Sequence, residues 1–245
     1  MLDPEIQQKI AKNNEQISEL LRENEILLRE AGYDPPVKNL TLPQREQIQF
    51  PTGYIRSVAN FNEKYHLRAI FPHRHSRHNV TYALEVSDLM NYVFNRINIW
   101  GPVETVFYKL AIVNLVSIME AIILEAANNI CRNASYCGKT KKCFNHFSKN
   151  ERNNARLALQ KLVMINVLDY DEEKLTRVQE IIDLRNRIHI RLTKGSELQL
   201  DDFNLAIYNE VIQLLQDVDE QIFQKGVPLY GCVTNQDPQC VQGTV

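Results

Sequence analysis

The sequence lacks the short motifs that announce nucleotide or hydrolase chemistry. Its eight glycines form no Gly-rich phosphate loop, and neither a Ser-His-Asp order nor a paired-carboxylate motif is present. A basic excess is also missing. With 28 Lys and Arg against 30 Asp and Glu the formal net charge is -2, which excludes wholesale coating of a polyanion and requires any nucleic-acid contact to be local. The five cysteines are an odd number, read as free thiols rather than a disulfide framework. The start, MLDPEIQQKI, has no basic stretch followed by an apolar one, so no secretory signal is expected. The longest apolar run, Ala111 to Ala127, is shorter than the ~20 residues a membrane span requires and contains Glu120 and Glu125. The expectation is a cytoplasmic protein with no membrane contact.

What is there is helical periodicity and an uneven charge. Residues 131–160 hold seven Lys or Arg against Glu151 alone, whereas residues 196–225 hold seven Asp or Glu against Lys225 alone. One face can therefore meet phosphates while another repels them. The apolar content of 44% suffices for a sizeable core.

Asp3-Pro4 opens a long helical pattern that runs to about Gly32, before the breaker Asp34-Pro35-Pro36. Ile10, Ile17 and Asn24 recur every seventh residue, as do Ile6, Asn13, Leu20 and Leu27. Together they form the two positions of a heptad seam, with Asn as a register-fixing polar residue. This reads as a short coiled coil for self-association, or as a helix laid on its own domain. Residues 34–80, rich in Pro, Asn and aromatics, read as an irregular linker or small hairpin region.

A helical domain is expected over 81–226, followed by a loose tail over 227–245. Its helices are placed at Thr81 to Ile99, Val103 to Ile130, Asn150 to Leu168, Lys174 to Leu192 and Asp201 to Phe223. Trp100-Gly101-Pro102 separates the first two, and Asp171-Glu172-Glu173 supplies an acidic first turn to the fourth. The Val103 to Ile130 helix is apolar nearly all round and so is expected to be buried on most sides. Between Lys109 and Glu125 its one charge is Glu120.

The helix from Lys174 carries the chemistry. Leu175, Val178, Ile181, Ile182, Ile188 and Leu192 share one stripe, and Arg185 and His189 lie inside it, four apart and on one face. Such breaks of a local rule concentrate at functional sites. Equally, a buried Arg paired with Glu120 and a His capping a carbonyl would satisfy the pattern without any function.

The run Asp183-Leu184-Arg185-Asn186-Arg187-Ile188-His189 resembles the signature of the HEPN superfamily, in which an Arg, usually followed by a polar residue such as Asn, precedes a His on the last long helix of a small bundle. The likeness extends over roughly Val103 to Phe223: an apolar helix interrupted by an acidic residue, a polar connection, a further helix, the Arg-Asn…His helix and a closing helix. Three residues separate Arg185 from His189, fewer than is usual in that superfamily.

The resemblance implies an all-α, HEPN-like helical bundle acting as a metal-independent endoribonuclease on single-stranded RNA, of the toxin or antiviral type. It further implies a homodimer, a protein inhibitor or antitoxin as partner, and no cofactor. On this reading His189 shuttles protons, Arg185 clamps phosphate, Asn186 orients the scissile phosphate and Glu120 holds Arg185. Lys139, Lys141, Lys142, Lys149, Arg152 and Arg156 would line the RNA path. The alternative is a non-catalytic HEPN-like scaffold that binds RNA or protein.

Two weaker clusters are His73, His75 and His78, in a positive loop with Arg74 and Arg77, and the zinc-type set Cys131, Cys137, Cys143 and His146. For the first, surface placement competes with a metal site; for the second, free thiols do.

Overall fold

A computed structural model describes residues 3–32, 47–50, 53–132, 147–186 and 203–225. Helices account for about 80% of these, which include no strand. The all-α class follows. The chain divides into two units, Met1–Pro51 and Thr52–Val245.

The first unit is helix α1, Pro4–Glu30. Asp3 caps it, its Oδ1 accepting from the Glu5 N–H at 2.8 Å, and Pro4 occupies the first position, where its missing N–H costs nothing. At the far end Gly32 takes φ +85, the left-handed conformation that closes a helix at little cost only for glycine. None of the residues of α1 is buried.

The second unit contains α2 (Val58–Lys64), α3 (Leu67–Ile70), α4 (Arg74–Arg96), α5 (Pro102–Arg132), α6 (Lys149–Asn153), α7 (Ala155–Met164), α8 (Glu172–Asn186) and α9 (Leu205–Gln224). Helix α5 is its centre and touches α3, α4, α6, α7, α8 and α9. The reason is compositional: a helix apolar on all sides lowers its free energy by being covered on all sides. Val116, Met119, Ile122, Ile123, Ala126 and Ala127 are completely buried. The segment Pro102–Ile130, with mean hydropathy reaching 2.0, is long and apolar enough to span a membrane. Length therefore does not argue against a span, contrary to the sequence reading. However, 61% of its most apolar stretch is covered by the protein itself, the pattern of a core helix.

Polar ties fix the neighbours. Asn114 Nδ2 donates to the Ala83 carbonyl at 2.7 Å and to Ser87 Oγ at 2.8 Å, joining α5 to α4. Asn129 Nδ2 donates to the Ile70 carbonyl at 2.7 Å. Phe94 stacks on Tyr108 at 4.3 Å and leans on Tyr208 at 5.3 Å, so that one aromatic from each of α4, α5 and α9 meets at a single point.

Three expectations are corrected here. Residues 58–80 are not an irregular linker or hairpin: α2, α3 and the start of α4 occupy them. A capping box between Ser57 and Asn60 starts α2, and Phe61, Tyr65, Leu67, Ile70 and Phe71 are buried. Helices of seven and four residues are too short to show periodicity and depend on tertiary burial. The rest of that region that falls at 34–46 lies outside the described residues.

His73, His75 and His78 do not form a loop. His73 is the N-cap of α4, and His75 and His78 sit in its opening turns. Among the described residues no group of three His, Cys, Asp or Glu is placed to hold a metal ion. Cys137, Cys143 and His146 lie outside those residues.

The expected helix from Asn150 to Leu168 is broken twice. Asn154 leaves helical geometry, and its side chain accepts from Leu157 N–H at 3.1 Å to start α7. Asn166 takes φ +57 and ends α7 in a Schellman arrangement, with Val167 N–H bonded to the Leu162 carbonyl at 2.9 Å. The tail over 227–245 lies outside the described residues.

One partly buried pair bears on pH. His66 Nδ1 meets Asp219 Oδ2 at 2.9 Å, its ring stacked on Phe223 at 3.8 Å. Asp219 Oδ1 is buried without a hydrogen-bond partner among the described residues. Burial outweighs the attraction of His66 and, helped by the nearby charge of Glu220, lifts the Asp219 carboxyl from 3.8 to about 6. A carboxyl raised on folding holds its proton longer in the native state than in the unfolded chain. Its contribution to stability therefore falls as pH rises between 3.8 and about 6. Denaturant midpoints taken across that window should show Asp219→Asn gaining on the wild type as pH rises; parallel pH curves would contradict this.

Candidate functional site

The cleft at this site is built by α5, the α6–α7 break and α8. Its volume is about 450 Å³, and its lining includes Glu120, Asn153, Asn154, Arg156, Asp183 and Arg185. Each wall has a local cause. On α8, Val178, Ile181 and Ile182 turn into the core at 0%, 0% and 2% exposure, which anchors the helix and leaves Arg185 at the edge of the apolar stripe. On α5, Glu120 sits between fully buried Met119 and Ile122. Across the cleft, Asn154 turns the chain and presents Arg156 from the first turn of α7.

Arg185 Nη1 donates to Glu120 Oε2. The two ends of this pair differ in exposure: the Glu120 side chain is 10% exposed and that of Arg185 43%. Arg185 is thus not the buried arginine that its stripe position suggested. Its side chain lines the cleft and is partly open to solvent there. Burial pushes the Glu120 carboxyl up, and the charge and hydrogen bond of Arg185 oppose that rise without cancelling it.

Beside them Arg156 Nη1 donates to Asp183 Oδ2 at 2.9 Å, with side-chain exposures of 49% and 36%. An ion pair this open is worth ~0–1 kcal/mol. It can therefore be exchanged for another anion at little expense.

Of the residues singled out from sequence, the structure brings Glu120, Arg185 and Arg156 to one cleft. Asn186 is the last described residue of α8. His189, Lys139, Lys141 and Lys142 lie outside the described residues. Lys149 and Arg152 fall on α6; Arg152 Nε is buried with no hydrogen-bond partner among the described residues.

Sequence reasoning missed Asn153, Asn154 and Asp183 as cleft residues. The Asn-Asn step ahead of an apolar run was an available N-cap signal. No sequence signal pairs Asp183 with Arg156, 27 residues away. His66 and Asp219 were missed as well, although Asp219 is the acidic residue within an apolar stripe of Leu215, Val218 and Ile222.

Nearer the start of α8, ion pairs tie it to α9. Arg177 meets Glu210 through two contacts of 2.7 Å, which hold the Glu210 carboxyl below its ordinary range. Lys174 and Tyr170 both donate to Asp217, at 2.8 and 2.7 Å. Burial raises Asp217, but hydrogen bonds from Lys174, Gln221 and Tyr170 outweigh it and leave the carboxyl lowered. These contacts join α8 and the residues just before it to α9.

Compared with family models, curated proteins and solved structures, the chain finds no match.

Proposed function

We propose that this protein is a HEPN-type, metal-independent endoribonuclease that cuts single-stranded RNA, with the Arg185 cleft as its phosphate site. The observation that carries the reading is an arginine anchored by a buried carboxylate yet 43% exposed at a cleft. A guanidinium held in this way keeps its planar donor fork oriented, which suits two-point recognition of a phosphate. Arg156, weakly held, adds a second cation at the same cleft.

RNA carries its own nucleophile. The 2′-oxygen attacks the adjacent phosphorus, the bond to the 5′-oxygen breaks, and a 2′,3′-cyclic phosphate and a 5′-hydroxyl remain. The step needs a proton taken from the 2′-hydroxyl, a proton given to the 5′-oxygen, and a fixed cation for the charge that gathers on the phosphate. A histidine titrates near neutrality and serves the first two needs; His189, four residues after Arg185 in sequence, takes that role. Arg185 takes the third, Asn186 orients the scissile phosphate, and Glu120 acts as a positioning residue. Lys139, Lys141, Lys142, Lys149 and Arg152 extend the RNA path. The protein works in the cytoplasm as a homodimer restrained by a protein inhibitor.

One observation favours a second reading. Arg185 already has an anionic partner in Glu120, as expected of a scaffold that has kept the fold for binding alone. Incubating purified protein with labelled single-stranded RNA in excess EDTA separates the two. The nuclease releases fragments ending in 2′,3′-cyclic phosphate; intact RNA, or cutting that EDTA abolishes, overturns the proposal.

A further inference from the structure

The seam of α1 is nearly the same read from either end. Along Pro4–Glu30, after Ile6 at its start, it runs Ile10, Asn13, Ile17, Leu20, Asn24, Leu27. Pairing first with last matches Ile10 to Leu27, Asn13 to Asn24 and Ile17 to Leu20, and in every match the two residue numbers add to 37. Ile17, Leu20 and Leu27 are 54%, 59% and 58% exposed, and Ile10 is half-buried. The helix has 27 residues, enough for the three or more heptads that mark a coiled coil.

We propose that α1 pairs with α1 of a second copy as an antiparallel coiled coil whose two-fold axis passes between residues 18 and 19. In an antiparallel pair each first-position residue of the heptad faces a fourth-position residue of the other helix. Here that sets Ile10 against Leu27, Ile17 against Leu20 and Asn13 against Asn24, so that every apolar side chain meets an apolar one. Each asparagine meets the other, and their amides can bond across the seam.

Charge selects this arrangement over the parallel one. The antiparallel register sets Lys9 of each copy beside Glu30 of the other. A parallel pair would instead flank its seam with Lys9 beside Asn14, Gln16 beside Leu21 and Glu23 beside Leu28, without one opposite-charge contact. It would also align the two acidic ends, where Glu19, Glu23, Glu25 and Glu30 outnumber Arg22 and Arg29. The antiparallel pair instead lays each such end over the start of the other copy, where Lys9 and Lys12 offset two of the three acidic residues Asp3, Glu5 and Glu15. This pairing stands on α1 alone and does not depend on the nuclease reading.

Cross-linking of the full-length chain tests it, with Cys131, Cys137, Cys143, Cys232 and Cys240 replaced by serine. Chains carrying Ile10→Cys are mixed with chains carrying Leu27→Cys and oxidised mildly at micromolar concentration. The expected product joins residue 10 to residue 27. Self-linked species should be at least about tenfold rarer, because the antiparallel pair separates the two copies of residue 10 by about 25 Å along the helix, beyond the reach of a disulfide. Mostly self-linked product, or none at all, overturns the proposal.

A second measurement keeps the native cysteines. Asn13→Leu, Asn24→Leu and the double variant are compared by their dimer dissociation constants in sedimentation. On one helix the two sites lie about 16 Å apart and should act independently unless they face each other across a pair. The double variant should tighten the dimer at least about tenfold beyond the product of the single effects. Additive effects, or a protein that stays monomeric, overturn the antiparallel register.

Discussion

His189→Ala is expected to lower the rate of RNA cutting by about 10²- to 10⁴-fold, the usual worth of a positioned proton donor and acceptor, with the helical content of the protein unchanged. The loss should lie in kcat rather than KM, because proton transfer belongs to the transition state and not to RNA binding. The wild type should also show a pH–rate profile with an inflection that is absent in the variant. Arg185→Lys is expected to lose on the order of a hundredfold, since an ammonium cannot reproduce the planar grip on a phosphate. Glu120→Gln should cost less than either, because it removes the support of Arg185 and leaves the guanidinium in place. Cutting that survives His189→Ala sinks the mechanism and leaves the scaffold reading.

Phe61→Ala should destabilise the second unit by about 3–5 kcal/mol, measured as a lower denaturant midpoint at an unchanged slope. Phe61 is completely buried on α2, and the Arg56 guanidinium lies 4.6 Å from its ring centroid. Arg56 in turn grips Asp88 of α4: its Nη2 donates at 2.6 Å, its Nε at 3.0 Å, and its backbone N–H at 2.9 Å. Truncating the ring leaves a cavity beneath this clamp and loosens α2 and α4 together. A cost below about 1 kcal/mol would mean that residues 58–71 do not belong to the core.

The long helices were readable because their signals are local and repeated. Asp3-Pro4 and Gly32 mark both ends of α1, and Gly101-Pro102 marks the start of α5. An apolar stripe many turns long cannot be mistaken for a loop. Helices α2 and α3 were not readable. Each has too few turns for a period to show, and Phe61, Leu67 and Ile70 look like scattered apolar residues until they are seen packed in the core. The straight helix expected over 150–168 failed for a related reason. Two asparagines that tolerate an interior position also make good caps, and which role they take is settled by the packing of the flanking turns.

The pairing of Glu120 with Arg185 was legible as a conjunction of two anomalies, a carboxylate in an apolar helix and an arginine in an apolar stripe. Burial makes each depend on finding an opposite charge. That Arg185 reaches solvent while Glu120 does not was beyond the sequence. It depends on where the edge of α8 falls against α5, a matter of helix rotation that periodicity leaves open to within a residue.

Sequence alone determined the all-helical class, the central place of an apolar α5, the heptad seam of α1 and the pair of residue types at the site, because each is set by side-chain chemistry repeated along one helix. Tertiary structure alone decided the cleft beside Arg185, the Arg156–Asp183 contact across it and the partly buried His66–Asp219 pair. Each of these joins residues far apart in the chain, and no local preference fixes how separate helices are rotated and stacked until their cores are packed together.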